Sequence, residues 1–210
     1  MTMIMLIRHG ETEWNVEEIF RGRADVELNE TGIRQAESLA RYLEEVPIDS
    51  IYSSPLKRAL KTAEKVAEPH SIKIISAPEL IDLDYGEWQG LSHKIVKERY
   101  PELYDEWLKN PHQVRMPKGE SLDNVRRRSI SLIDQVIAKR EGTIALVSHR
   151  VVHKVIICAL LGLDNSYFWN IRLDTCGITT FVYEKNRFVL ARHNDTSFLK
   201  PLAKATLSDF

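Results

Sequence analysis

Residues 3–7 (MIMLI) form an unbroken apolar run that ends just before Arg8-His9-Gly10. A short run without alternation suits a strand buried on both faces of a sheet. Between residues 30 and 43, Ile33, Ala36, Leu39, Ala40 and Leu43 fall at helical spacing, and Pro47 lies past the end. An amphipathic helix is expected there. Residues 49–53 (DSIYS) predict a second strand, 56–67 a helix opened by Pro55, and 72–76 (IKIIS) a third strand. Residues 78–90 read as loop, punctuated by Gly86 and Gly90. Two short helices are expected over 92–100 and 102–108, parted by Pro101, and a longer one over 121–139 with Ser121 as its N-cap. Residues 143–148 (TIALVS) predict another buried strand, and 149–161 an apolar helix stopped by Gly162. Residues 177–184 and 187–192 alternate as a hairpin at a sheet edge does.

Strands alternating with helices predict an α/β fold: a three-layer α/β/α sandwich with a largely parallel central sheet. No internal repeat or linker-like shift in composition divides the chain, so residues 1–210 are read as one domain. Hydrophobic residues make up 43% and charged residues 28% of the 210, an ordinary globular balance that argues against disorder and coiled coil. A chain of this length buries enough surface to need no staple. Cys158 and Cys176 both lie in apolar surroundings outside any C-x-x-C pair, so buried free thiols are expected.

Charge narrows the partners. Lys and Arg number 29 against 30 Asp and Glu, a formal charge of −1. Nothing in that balance favours nucleic acid, although it leaves room for a local cationic pocket. No run is long enough for a membrane span. The opening MTMIMLI runs straight into Arg8 with no basic region or small-residue cleavage site. It reads as a strand rather than a signal peptide, and a cytoplasmic location is expected.

In parallel sheets, ligands bind beyond the carboxyl ends of the strands. The first strand leaves into Arg8-His9-Gly10-Glu11-Thr12, the second into Ser53-Ser54-Pro55 with Lys57 and Arg58 behind, and the 143–148 strand into Ser148-His149-Arg150. Histidines and arginines gathered at neighbouring strand ends repel one another until an anion joins them. Neutral imidazole is a competent nucleophile near neutral pH. Guanidinium groups neutralise phosphoryl oxygens bidentately without a metal. A leaving alkoxide then needs a proton from a general acid.

In order along the chain, LIRHGETEWN, YSSPLKRALKTA, LDYGEWQG, PKGESL and LVSHRVV resemble the motifs of the histidine phosphatase superfamily, also called phosphoglycerate mutase-like. The resemblance covers about residues 3–199 and points to the bacterial phosphatase branch. It implies that His9 is the nucleophile and forms a phosphohistidine, with Arg8, Arg58 and His149 around the transferred phosphoryl group and Asn15 also contacting it. No metal or other cofactor is implied, the partner is a small phosphoester, and a homodimer is common among such relatives. His149 and His153 stand at i, i+4 but lack the glutamate of H-E-x-x-H, so a zinc site is not expected and His153 is read as helix packing, with the pocket wall as the alternative.

The family usually places a glutamate four residues before the loop glycine, as general acid. Gly86 is that glycine here, and Asp82 holds the position. Asp82 is one methylene shorter and intrinsically more acidic, with Asp84 and Glu87 as stand-ins. Arg21-Gly22 and Tyr85 fall where the resemblance places the organic part of the substrate. A guanidinium at Arg21 would favour a carboxylate or second phosphate, as in phosphoserine. Phe198 stands where relatives often carry a histidine, which removes a polar contact from the tail. The reading is a metal-independent phosphatase of small phosphomonoesters. Two alternatives stand beside it. One is a phosphoglycerate mutase, disfavoured by the short stretch from Gly90 to Lys118. The other is a weakly active regulatory phosphate-binding protein, suggested by Asp82 and Phe198.

Overall fold

The apolar runs pair side by side. The computed structural model describes residues 1–139 and 142–202. Its elements run β1 (Thr2–Arg8), α1 (Glu13–Val16), α2 (Glu30–Leu43), β2 (Ser50–Ser53), α3 (Lys57–Ala67), β3 (Ile74–Ser76), α4 (His93–Arg99), α5 (Pro101–Lys109), α6 (Leu122–Lys139), β4 (Thr143–Ser148), α7 (Arg150–Leu160), β5 (Ile178–Glu184) and β6 (Arg187–Asp195). The strands form one six-stranded sheet in the order β3-β2-β4-β1-β5-β6. β1, β4, β2 and β3 are parallel, while β5 and β6 run antiparallel and close one side as a hairpin. The expected mixed α/β sheet, mostly parallel and flanked by helices, is therefore present. Residues 203–210, which the one-domain reading includes, lie outside the described residues.

Side chains alternate along each strand, so a central strand buried on both faces supplies two cores. On one face Met5, Ile7, Ala145 and Val147 pack with Ala36, Leu39, Ala59, Ala63 and Val66 of α2 and α3. On the other, Ile4, Leu6, Ile144 and Leu146 pack with Val125, Leu132, Ile133 and Val136 of α6 and with Val151 and Val155 of α7. That double covering explains why residues 3–7 and 143–148 read as continuous apolar runs rather than alternating ones.

Local signals set the helix ends. The Asn29 side chain accepts from Gly32 N at 2.8 Å to open α2, and Ser92 Oγ accepts from Ile95 N at 3.3 Å to open α4. Ser121 and Asn124 cap α6 reciprocally, Asn124 N to Ser121 Oγ at 3.4 Å and Ser121 N to Asn124 Oδ1 at 3.0 Å. Gly162, at φ +72°, ends α7 as expected.

The differences are at edges. β3 begins at Ile74, two residues later than the apolar pattern suggested, and β6 runs on to Asp195. The expected loop over 78–90 holds two 3₁₀ turns, Pro78–Leu80 and Gly86–Trp88. His149 is not the first residue of α7 but its extended N-cap. α1, inside the ETEWN segment, was not foreseen, because four residues are too few to show a period. Both cysteines are free and buried. Among the described residues, no helix is long and apolar enough to cross a membrane.

Candidate active site

The sheet register builds the site. Arg8 lies opposite Ser148 across β1 and β4, and Ser53 opposite Val147 across β2 and β4. Because the three strands are parallel, His9, His149 and Ser54 emerge at the same edge, beyond the carboxyl ends. His9 N–H donates to Ser148 O at 3.0 Å, which continues the ladder one residue past the strand. Gly10 N–H donates to Thr62 Oγ1 of α3 at 3.1 Å. A Cβ on Gly10 would stand 2.6 Å from Gly32 O. Glycine at this turn lets the chain press against the start of α2 and fixes where His9 leaves the sheet.

His9 is 1% exposed. Its Nδ1 lies 2.6 Å from Gly10 O, and a carbonyl can only accept, so Nδ1 carries the proton and Nε2 is left with the lone pair. Burial, with Arg58, Arg8 and Arg21 nearby, holds its pKa well below the usual histidine value. The imidazole is therefore neutral at neutral pH, as a nucleophile must be. The ring of His149 faces it, with centroids 5.2 Å apart.

Ser54 Oγ accepts from Leu56 N and sits 2.8 Å from His149 Nε2. The hydroxyl proton is thus free to point at that nitrogen. In this arrangement His149 Nδ1 bears its hydrogen, and Asp82 Oδ2 lies 3.7 Å away from it. Burial, Arg58 and His9 push the His149 pKa down.

Arg58, fully buried on the first turn of α3, donates from Nη1 to Ala24 O at 2.8 Å and from Nη2 to Gly22 O at 2.7 Å. Its Nη2 also meets Asp82 Oδ2 at 3.1 Å. Asp82 Oδ1 accepts from Leu83 N at 2.9 Å. Arg8 is anchored by a hydrogen bond from Nη1 to Leu173 O. His9, Arg8, Arg58, Asp82 and His149, predicted as one constellation, are brought together.

The substrate-side residues are placed less uniformly. Gly22 sits at φ +49°, and a Cβ there would stand 2.9 Å from Gln89 Oε1 and 3.2 Å from Tyr85 Cδ2. Its part is to let the chain pass close to Tyr85 while its carbonyl holds Arg58. Arg21 donates from Nη1 to Trp14 O at 2.9 Å. Burial, then Arg150 and Arg8, lower its pKa to about 9. That crowding places Arg21 beside the other cations. Tyr85 is buried, hydrogen-bonded to Arg150, and its phenol is pushed up to about 12, chiefly by burial. Asn15, in α1, commits its Oδ1 to Thr12 N at 3.0 Å and Thr12 Oγ at 2.9 Å, which leaves its NH₂ as the group it can offer an anion.

The stand-ins for Asp82 are engaged elsewhere. Asp84 Oδ1 accepts from Gly86 N at 2.9 Å and its Oδ2 lies 3.4 Å from Arg23. Glu87 pairs with Lys118 at 2.7 Å on the surface. His153 donates from Nε2 to Ile7 O at 2.9 Å, so it pins α7 to β1 and that nitrogen has no lone pair for a metal. Among the described residues, no three His, Cys, Asp or Glu side chains stand close enough to hold a metal ion. Phe198 stacks on Tyr42 of α2 with centroids 4.8 Å apart, a packing role.

Three further residues serve this pocket without having been singled out. Ser54 and Arg150 lie inside the motifs at the strand exits, and adjacency to His149 was the signal for Arg150. Arg128 gave no signal, because nothing in the α6 sequence links it to a loop about 45 residues earlier.

A family model described as the histidine phosphatase superfamily (branch 1) matches residues 4–196. Over 200 residues the chain is 37% identical to phosphoserine phosphatase 1 of Hydrogenobacter thermophilus, spanning 95% of each. Among solved structures it is similar to YhfR of Bacillus stearothermophilus, with a TM-score of 0.91, 30% identity, and 95% of this chain and 100% of that one covered. It also resembles a phosphoserine phosphatase mutant from Entamoeba histolytica in complex with phosphoserine, with a TM-score of 0.86, 31% identity and coverage of 95% and 100%.

Proposed function

Because the chain belongs to branch 1 of the histidine phosphatase superfamily, we propose that its pocket hydrolyses small phosphomonoesters in two steps through a phosphohistidine on His9. In the first step His9 Nε2 attacks phosphorus, the N–P bond forms, and the P–O bond to the alcohol breaks. Asp82 gives its proton to the departing oxygen. In the second step water attacks phosphorus, the Asp82 carboxylate takes the water's proton, and the N–P bond breaks to release phosphate.

The observation that carries this reading is the His9 geometry. Nδ1 is tied to Gly10 O at 2.6 Å, the ring is held neutral by burial and by Arg58, Arg8 and Arg21, and Arg8, Arg58 and His149 surround it. The arginines supply the charge that a phosphoryl dianion needs at its oxygens. Asn15 NH₂ adds a neutral donor. Asp82 begins paired to Arg58 at 3.1 Å. The incoming phosphoryl group draws on that same guanidinium and sets the leaving oxygen beside the carboxyl.

Arg21, crowded by Arg150 and Arg8, supports a substrate with a second anionic group, a carboxylate in particular. Phosphoserine has that shape, and two of the relatives named above carry phosphoserine in their names or complexes. A mutase would instead return the phosphoryl group to a held intermediate. An intact His9, Arg8, Arg58 and His149 also speak against a purely regulatory phosphate binder.

Phosphate release in EDTA from phosphoserine, 3-phosphoglycerate and p-nitrophenyl phosphate tests the proposal, with His9→Ala beside the wild type. Release that survives EDTA and disappears in the variant is expected, with phosphoserine ahead of p-nitrophenyl phosphate. Release retained by His9→Ala would overturn the phosphohistidine route. Isomerisation that depends on a bisphosphorylated primer, without release, would favour the mutase.

A further inference from the structure

The loop that carries Asp82 is held by side chains that touch none of the reacting groups. Arg128, on α6, donates from Nη1 to Glu79 O at 2.6 Å and from Nη2 to Asp82 O at 3.1 Å. Its Nε and Nη2 also reach Glu120 Oε1 and Oε2 at 3.3 Å and 3.2 Å. Ser148 Oγ, at the end of β4, donates to Leu80 O at 2.6 Å. Glu120 N donates to Asp84 O at 2.9 Å, and Asp84 N returns a bond to Glu120 Oε2 at 3.1 Å. The carbonyls of residues 79, 80, 82 and 84 are thus each taken by a partner outside the loop, and Arg128 holds two of them.

The same network reaches the other side of the pocket. Glu120 Oε1 pairs with Arg23 Nη2 at 3.1 Å. Arg23 follows Gly22, whose carbonyl seats Arg58 at 2.7 Å. One carboxylate therefore ties the segment behind Arg58 to the segment behind Asp82. The Arg128 and Glu120 side chains are each 17% exposed, so solvent screens this pairing less than an open surface pair.

We infer that Arg128 is a positioning residue, which sets the Asp82 carboxyl against the leaving oxygen by fixing the backbone of residues 79–82. The inference rests on the reading of Asp82 as the proton donor. An aspartate has one fewer rotatable bond than a glutamate with which to absorb a backbone shift, so its carboxyl goes where its Cα goes. A displacement of about 1 Å at a reacting group costs about 100-fold in rate. Two carbonyls and a carboxylate also need a planar fork of donors, which lysine lacks.

The test uses the dependence on leaving group. An alkyl alcohol needs a proton as it departs, whereas p-nitrophenolate leaves readily as an anion. kcat/KM reports the step that expels it. Arg128→Met and Asp82→Asn should each lose about 100-fold on phosphoserine and less than about tenfold on p-nitrophenyl phosphate, with Arg128→Lys in between. If Arg128→Met does not fold, Glu120→Gln is read in its place with the same expectation. Equal losses on both esters for the Arg128 variants, beside unequal losses for Asp82→Asn, would overturn the positioning role. Equal losses for Asp82→Asn itself would overturn the assignment of Asp82 as the acid.

Discussion

His9 and Gly22 show how much of the pocket is decided one residue at a time. The His9 imidazole is held by a backbone carbonyl that fixes its tautomer and by burial that keeps it neutral, which is what the proposed nucleophile requires. Gly22 does no chemistry, yet its φ of +49° strains any other residue, and a Cβ would crowd Leu83 O at 3.0 Å and displace Gln89 Oε1 at 2.9 Å. Gly22→Ala forces either a strained backbone or a shift of the carbonyl that seats Arg58. We expect a loss of stability of about 1–3 kcal/mol and a KM that rises more than kcat falls, since in the proposed reaction Arg58 would bind the phosphoryl group in ground and transition states alike. A thermal melt and steady-state kinetics check it. Unchanged stability and KM would show that the segment has another way to hold Arg58. His9, Arg8, Arg58 and His149 were legible because each closes a strand or follows one in a motif. Ser54 lay in the same motif but its hydroxyl bond to His149 is a contact across 95 positions, which no local pattern announces.

At the scale of elements, the strands and long helices were read nearly to the residue, because burial on both faces or on one stripe writes its period into the chain. α2 runs from Glu30 to Leu43 as the spacing of Ala36, Leu39 and Leu43 required, although Ile33, expected on the same stripe, is exposed. β3 was harder. It is three residues long, its end is exposed, and its apolar run begins before the pairing with β2 does. The loop over 78–90 was legible as a loop and no further. Its shape is dictated by Arg128 of α6, Ser148 at the end of β4 and Glu120 in the segment before α6, all of which donate to it. Tertiary donors of this kind leave no trace in the loop's own sequence. Asp82, the proposed acid, could be named from its place before Gly86, but the side chains that hold its loop could not.

For the whole molecule, the pocket makes stability depend on acidity. His9, His149 and His153 are buried with pKa values pushed down, His153 to about 4, and His93 is likewise lowered to about 4. Unfolded, each returns toward the ordinary value of 6.5. Below that value the unfolded chain binds more protons than the folded one, so stability falls as pH falls. The contribution is fully present above 6.5 and is lost toward the lowered folded values. Each histidine adds a slope of about 1.4 kcal/mol per pH unit. Urea melts in phosphate-free buffer between about pH 7 and pH 5 should therefore lose several kcal/mol. A flat profile over that range would show that these imidazoles are solvated, and not held neutral by burial, when folded. The near-zero net charge of the chain hides this concentration of cations and histidines at one sheet edge. The charge balance gave no reason to expect nucleic acid, but only the strand order shows where the positive charge gathers.

The phosphohistidine on His9 is tested by a rapid acid-free quench of the enzyme turning over phosphoserine, followed by peptide mass analysis under alkaline conditions that preserve phosphohistidine. One phosphoryl group is expected on His9, attached at Nε2 because Nδ1 is held by Gly10, and none in His9→Ala. A phosphoryl group on another residue, or full turnover with no covalent intermediate under conditions that preserve one, would contradict it.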